Sequence, residues 1–130
     1  MKKIFLIIGF GFLITSCDIS EQPTYSYVIN PVFQVDMPTA FAVDSVTNIP
    51  VRYKRPSSCH IFNKFYYEID GMNRTVGVEN LLVNQSDCHE DNETVIEMPL
   101  KFSPIGTGTF HFKFWTGGNQ YLEYDVVVDH

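Results

Sequence analysis

The chain has 130 residues, 45% hydrophobic and 15% aromatic, with 15 Asp and Glu against 9 Lys and Arg for a formal net charge of −6. This length suits one domain of ordinary size with a real core and leaves no room for a second. The acidic balance, with no basic tail, excludes nucleic acid as a partner and makes an anionic lipid surface a poor one, because both draw affinity from clustered basic residues.

At the N-terminus Lys2 and Lys3 precede an uncharged apolar run from Ile4 to Ile14. A positive start, an apolar stretch of about 7–15 residues and small residues at its end mark a secretory signal. The run falls well short of the roughly 20 apolar residues that span a bilayer as a helix. Residues 1–16 are therefore expected to be a signal helix that is removed on export.

The segment ends in Ile14-Thr15-Ser16-Cys17, which resembles the lipobox of bacterial lipoproteins, a branched apolar residue and two small residues before a cysteine. The resemblance implies cleavage before Cys17, diacylglycerol on its sulfur and an acyl chain such as palmitate on the new amino group. Several chains make a stable anchor where one does not, since each buried methylene contributes about 0.8 kcal/mol. The expected location is thus extracytoplasmic, with the membrane as partner through the lipid on Cys17, at the outer membrane on its periplasmic face or at the cell surface. Asp18 follows the cysteine; in enteric bacteria an acidic residue there favours the inner membrane, whereas in Bacteroidota early acidic residues accompany surface display. Residues 17–26 are polar and proline-interrupted and are expected to form a tether, about 35 Å at full stretch, holding a domain of residues 27–130 near the membrane.

From Tyr27 onward apolar residues recur with period two, bounded by Gly, Pro, Asn and Asp, the pattern of half-buried strands. Expected strands are Tyr27–Val35, Thr39–Val46, Ile49–Tyr53, a stretch from Ile61 to Ile69, Arg74–Val83, Thr94–Phe102, Thr109–Trp115 and Gln120–Val128. In the fourth, Ile61, Phe65, Tyr67 and Ile69 are expected to face inward, leaving Phe62, Lys64, Tyr66 and Glu68 outside. Pro99 cannot donate to a ladder and places its strand at a sheet edge or a bulge. Phe110, Phe112 and Phe114 share one face of the next strand. Thr116-Gly117-Gly118-Asn119 then turns the chain into the last, where Leu122, Tyr124, Val126 and Val128 face inward. About seven or eight short strands in a chain of this length argue for an antiparallel two-sheet sandwich.

Gly108-Thr109-Phe110-His111-Phe112-Lys113-Phe114, with the glycine turn and Tyr124-Asp125-Val126-Val127-Val128, resembles the closing hairpin of immunoglobulin-like domains in bacterial surface proteins. The region from Cys59 to Cys88, with Phe65-Tyr66-Tyr67-Glu68, is similar to small lipoproteins of Bacteroidota. These resemblances imply an immunoglobulin-like fold and carry no catalytic residues or cofactors. The chain lacks the Cys…Trp…Cys spacing of antibody domains.

Of the 3 cysteines, assigning Cys17 to lipid leaves Cys59 and Cys88 as an even pair in an oxidising compartment, which favours a disulfide. The bridge would close a loop of about 29 residues, worth roughly 3–4 kcal/mol on a chain-entropy model. Cys59-His60 and Cys88-His89 also raise a metal site, but neighbours on a strand point to opposite faces, so no metal is expected. His60, His89, His111 and His130 lack ligand spacing, and no nucleophile or phosphate-loop signature occurs, so no enzyme is expected.

Asp87, Glu90, Asp91 and Glu93 lack the EF-hand pattern and read as a solvated loop. Arg52, Lys54 and Arg55 read as an exposed strand end, with docking of an acidic partner or sugar as the alternative. Asp44-Ser45-Val46 matches a short O-glycosylation signal of Bacteroidota, at Ser45. Phe62, Lys64 and Tyr66, together with Trp115 and Tyr121 beside the glycine turn, form a candidate binding surface, because aromatic side chains are favoured anchors. The competing expectation is that other parts of the chain cover them. Two functions follow: a non-catalytic module of the cell envelope binding a glycan or another envelope protein, or a structural accessory subunit with an obligate protein partner.

Overall fold

The computed structural model describes residues 24–130, along with Gly11. The expected signal, Cys17 and most of the tether lie outside the described residues. Eight strands follow: β1 (Tyr25–Asn30), β2 (Gln34–Val35), β3 (Thr47–Lys54), β4 (His60–Asp70), β5 (Asn73–Val83), β6 (Val95–Phe102), β7 (Gly108–Gly117) and β8 (Gln120–Val128). They form a five-stranded sheet, in which β5 connects β1, β4 and β7 and β7 carries β8, and a three-stranded sheet ordered β2-β3-β6. The described part is all-β, a two-sheet sandwich.

The inward residues of both sheets make the core. Phe110, Phe112 and Phe114 of β7 meet Ile49, Val51 and Tyr53 of β3 and Leu100 and Phe102 of β6, with Val76, Val78, Val126 and Val128 completing it. Phe102 sits edge-on to Phe110 and Phe112, with ring centroids 5.1 and 5.0 Å apart, the geometry that the ring quadrupole favours. The alternation of β7 and β8 falls in the expected phase.

β5 is the central strand. It pairs along one edge with β4, antiparallel from His60↔Leu82 to Asp70↔Asn73. The other edge is shared: β1 pairs antiparallel with residues 78–83 and β7 parallel with residues 73–76. The parallel β5–β7 contact corrects the expectation of a wholly antiparallel fold. The long connection between these strands runs through β6 in the other sheet, which allows β7 to return in the same direction.

Three further expectations are revised. The strand foreseen at Tyr27–Val35 is split at Pro31: β1 begins at Tyr25, inside the stretch read as tether, and the chain then crosses to the smaller sheet as β2. Val32 N–H donates to the Trp115 carbonyl at 2.7 Å at this crossing. No strand forms at Thr39–Val46; Asp44 has φ 59°, a left-handed conformation that Asp tolerates and strands do not, and Phe41 plugs the core 5.8 Å from Phe102. In β4 the register shifts between Phe62 and Lys64. The extra residue, Asn63, reverses the phase, so Phe62 turns to the core and Ile61 is exposed. Phe65 and Tyr67 pack against the core, but Ile69, near the strand's end, is exposed.

β6 is an edge strand, as Pro99 required, and Pro99 lies opposite Pro50. The Pro50 carbonyl accepts from Asp36 N–H at 3.0 Å on the β2 side. The backbone groups of Pro50 therefore point away from β6, and the two missing N–H groups cost that ladder no bond.

Cys59 and Cys88 are bridged, with Cα atoms 5.5 Å apart. The bridge closes the open end of the β4–β5 hairpin, where Ser58 and His89 also exchange hydrogen bonds. At the same end Asn84 bonds Thr24 through both its backbone N–H and its side-chain amide. The chain thus enters the domain beside its disulfide.

Candidate functional site

Because strand side chains alternate, the outer face of the five-stranded sheet is set by its register. Outward residues align in rows across the strands. The first row holds Lys64, Glu79 and Ile29. In the second Tyr66 lies opposite Gly77, and Trp115 faces Tyr121 one step beyond the last β5–β7 pair. A third row runs Glu68, Thr75, Lys113, Glu123, and a fourth runs Asp70, Asn73, His111, Asp125.

The second row forms a groove of about 320 Å³. Its walls are Tyr66, Trp115 and Tyr121, with Ile29 along one side and Glu68 and Thr75 along the other. Gly77 lies in the lining because it has no side chain: a Cβ there would stand 3.0 Å from Ile29 Cγ2 and 3.6 Å from Tyr66 Cβ. Glycine in a strand interior often marks such an approach.

The rings are held by their polar ends. Trp115 Nε1–H donates to the Gly118 carbonyl at 2.9 Å across the hairpin turn, which Gly117 and Gly118 close at φ 117° and 56°. Tyr66 Oη donates to Glu68 Oε2 at 3.0 Å, and this bond is the main cause that pushes the phenol above its usual pKa. Lys113 Nζ lies 5.9 Å from the Tyr121 ring centre and 3.9 Å from Glu123. His111 bridges Asp125 at 2.6 Å and Glu123 at 3.2 Å; these bonds, the one to Asp125 first, raise its pKa.

Of the candidate surface read from the sequence, Tyr66, Trp115 and Tyr121 meet in this groove. Lys64 stands on the same face one row away, whereas Phe62 lies on the core side, 6.2 Å from Tyr53 and 5.1 Å from Phe65 between ring centres. Among the described residues no other segment covers Tyr66 or Tyr121, each 43% exposed. Ser45 is exposed in the turn at Asp44. Ile29, Thr75 and Gly77 were not singled out by sequence, and Glu68 was read as outward-facing but not as part of the surface; the mid-strand glycine offered the other signal.

The basic candidates have partners. Arg52 pairs with Asp36 and Glu97 at 2.6 and 2.7 Å, Arg55 grips Asp91 at 2.8 Å, and Lys54 lies 4.4 Å over Phe33. Asp91 also caps the turn into β6, accepting from Asn92, Glu93 and Thr94 N–H. Among the described residues no group of three His, Cys, Asp or Glu side chains could hold a metal ion.

Fold and site together describe a β-sandwich with an aromatic groove on the outer face of its larger sheet. Comparison with protein-family models, with curated proteins and with solved structures finds no match for this chain.

Proposed function

We propose that the protein is a lipid-anchored, extracytoplasmic binding module of the cell envelope, tethered through Cys17, and that it binds a glycan in the groove of Tyr66, Trp115 and Tyr121. The observation that carries this reading is the pairing of two rows: an aromatic row with Gly77 in its lining, and beside it a polar row of Glu68, Thr75 and Lys113. Sugar rings present flat C–H faces that pack on aromatic side chains, and hydroxyls that need both donors and acceptors. The two rows supply both. Neighbouring strands are about 4.8 Å apart, so four aligned positions span roughly 14 Å, enough for a short oligosaccharide lying across the strands.

The test takes the protein purified in detergent from the membrane fraction, with Cys17→Ala as the control that should lack the lipid increment and retain residues 1–16 in intact-mass analysis. The expected result is saturable binding on a glycan array that falls at least about tenfold in Trp115→Ala, a loss of about 1.4 kcal/mol. Glycan binding that ignores Trp115 would remove the groove from the reading, and no binding at all would remove the glycan.

An accessory subunit with an obligate protein partner is the second reading. It is favoured by Tyr25 and Tyr27, 61% and 66% exposed on β1, which extend the apolar surface past the groove. Stoichiometric cross-linking to one protein that free sugar does not displace would support it.

A further inference from the structure

Building on the glycan reading, we infer that the groove selects sugars bearing a free, protonated amino group, with Glu68 as the recognising carboxylate. The inference starts from the charges facing the groove. Lys113 stands at the Tyr121 end but is offset by Glu123, 3.9 Å away. In the row beyond, His111 is held between Asp125 and Glu123. On the other side Lys64 lies opposite Glu79, whose carboxylate accepts from Asn63 at 2.8 Å.

Glu68 is the one carboxylate in the groove lining. It accepts a hydrogen bond from Tyr66, yet among the described residues it forms no ion pair. The uncompensated charge of the site is therefore negative, at the edge of an aromatic surface. Aromatic faces attract cations through the ring quadrupole, and a carboxylate beside them forms the stronger, charge-assisted class of hydrogen bond with an ammonium group. A sugar whose ring packs on Trp115 or Tyr66 and whose ammonium reaches Glu68 uses both features. An N-acetylated sugar loses the charge, and an acidic sugar meets repulsion from Glu68 and from a chain of net charge −6.

The experiment compares β-linked glucosamine oligomers with N-acetylglucosamine oligomers of equal length, titrated by calorimetry into the full detergent-solubilised chain. The glucosamine oligomer should bind at least about tenfold more tightly, as expected for one charge-assisted hydrogen bond. Glu68→Gln should abolish that preference, weakening the glucosamine oligomer at least about tenfold more than the acetylated one. Trp115→Ala should weaken both oligomers.

Equal binding of both by the wild type, or a preference surviving in Glu68→Gln, overturns the inference and leaves the glycan reading standing. Trp115→Ala weakening neither oligomer would place binding outside the groove and would also overturn it. Absence of binding to both oligomers and to every glycan on the array would instead defeat the glycan reading itself.

Discussion

Asn80 is fully buried on the inward face of β5, opposite Phe62 of β4 and Val28 of β1. Among the described residues neither its amide nitrogen nor its carbonyl oxygen has a hydrogen-bond partner, and the Asn30 amide nitrogen is likewise unpartnered. A buried polar group without a partner costs about 1–3 kcal/mol, the scale on which a single residue matters to a domain. Asn80→Leu removes both unpartnered atoms at modest change of shape. It should raise the urea midpoint, by up to about 1–3 kcal/mol in stability, with the slope unchanged. A lowered midpoint would count against this account of Asn80. The groove lies on the opposite face of β5, so ligand binding should not change.

At the scale of elements, the turn into β6 is organised by one carboxylate. Hydrogen bonds from Thr94, then from Glu93 N–H, then from Arg55 hold the Asp91 carboxyl well below the usual value of 3.8. A depressed carboxyl contributes stability that is present above its unfolded pKa and is lost as pH falls through the folded one. The Asp91→Asn chain should therefore be less stable than wild type at neutral pH, and the gap should close progressively as the pH drops below 3.8. Urea titrations through the acid range check this, and a gap that stays constant with pH would assign the effect to shape instead of charge.

The same scale shows what was legible beforehand. Alternation placed Tyr66, Trp115 and Tyr121 on an outer face because each strand's phase is a local property of its own residues. The phase of Phe62 was lost to Asn63, since a bulge adds one residue without changing composition. Thr39–Val46 read as a strand because Phe41 and Val43 alternate, while the turn at Asp44 depends on a backbone angle that no apolar pattern records. Glu68, Thr75, Gly77 and Ile29 come together only because β5 lies between β4 on one edge and β1 and β7 on the other. That lateral order is a long-range property, and period two carries no information about it.

For the molecule as a whole, the disulfide and the aromatic groove are placed at different points of one sheet. The bridge between Cys59 and Cys88, 29 residues apart, pins β4 to the segment after β5 at the end where Thr24 enters, whereas Gly77 and its aromatic neighbours lie further along the strands. Cross-linking a loop of this length stabilises by about 3–4 kcal/mol on the chain-entropy model. The double variant Cys59→Ser/Cys88→Ser should lose roughly that amount in chemical denaturation, yet bind oligosaccharide with unchanged affinity under conditions where it stays folded. Full stability in the variant would show that the bridge adds nothing to the folded end. Lost binding in a folded variant would show that the groove depends on the pinned end, and would tie recognition to the redox state of the compartment.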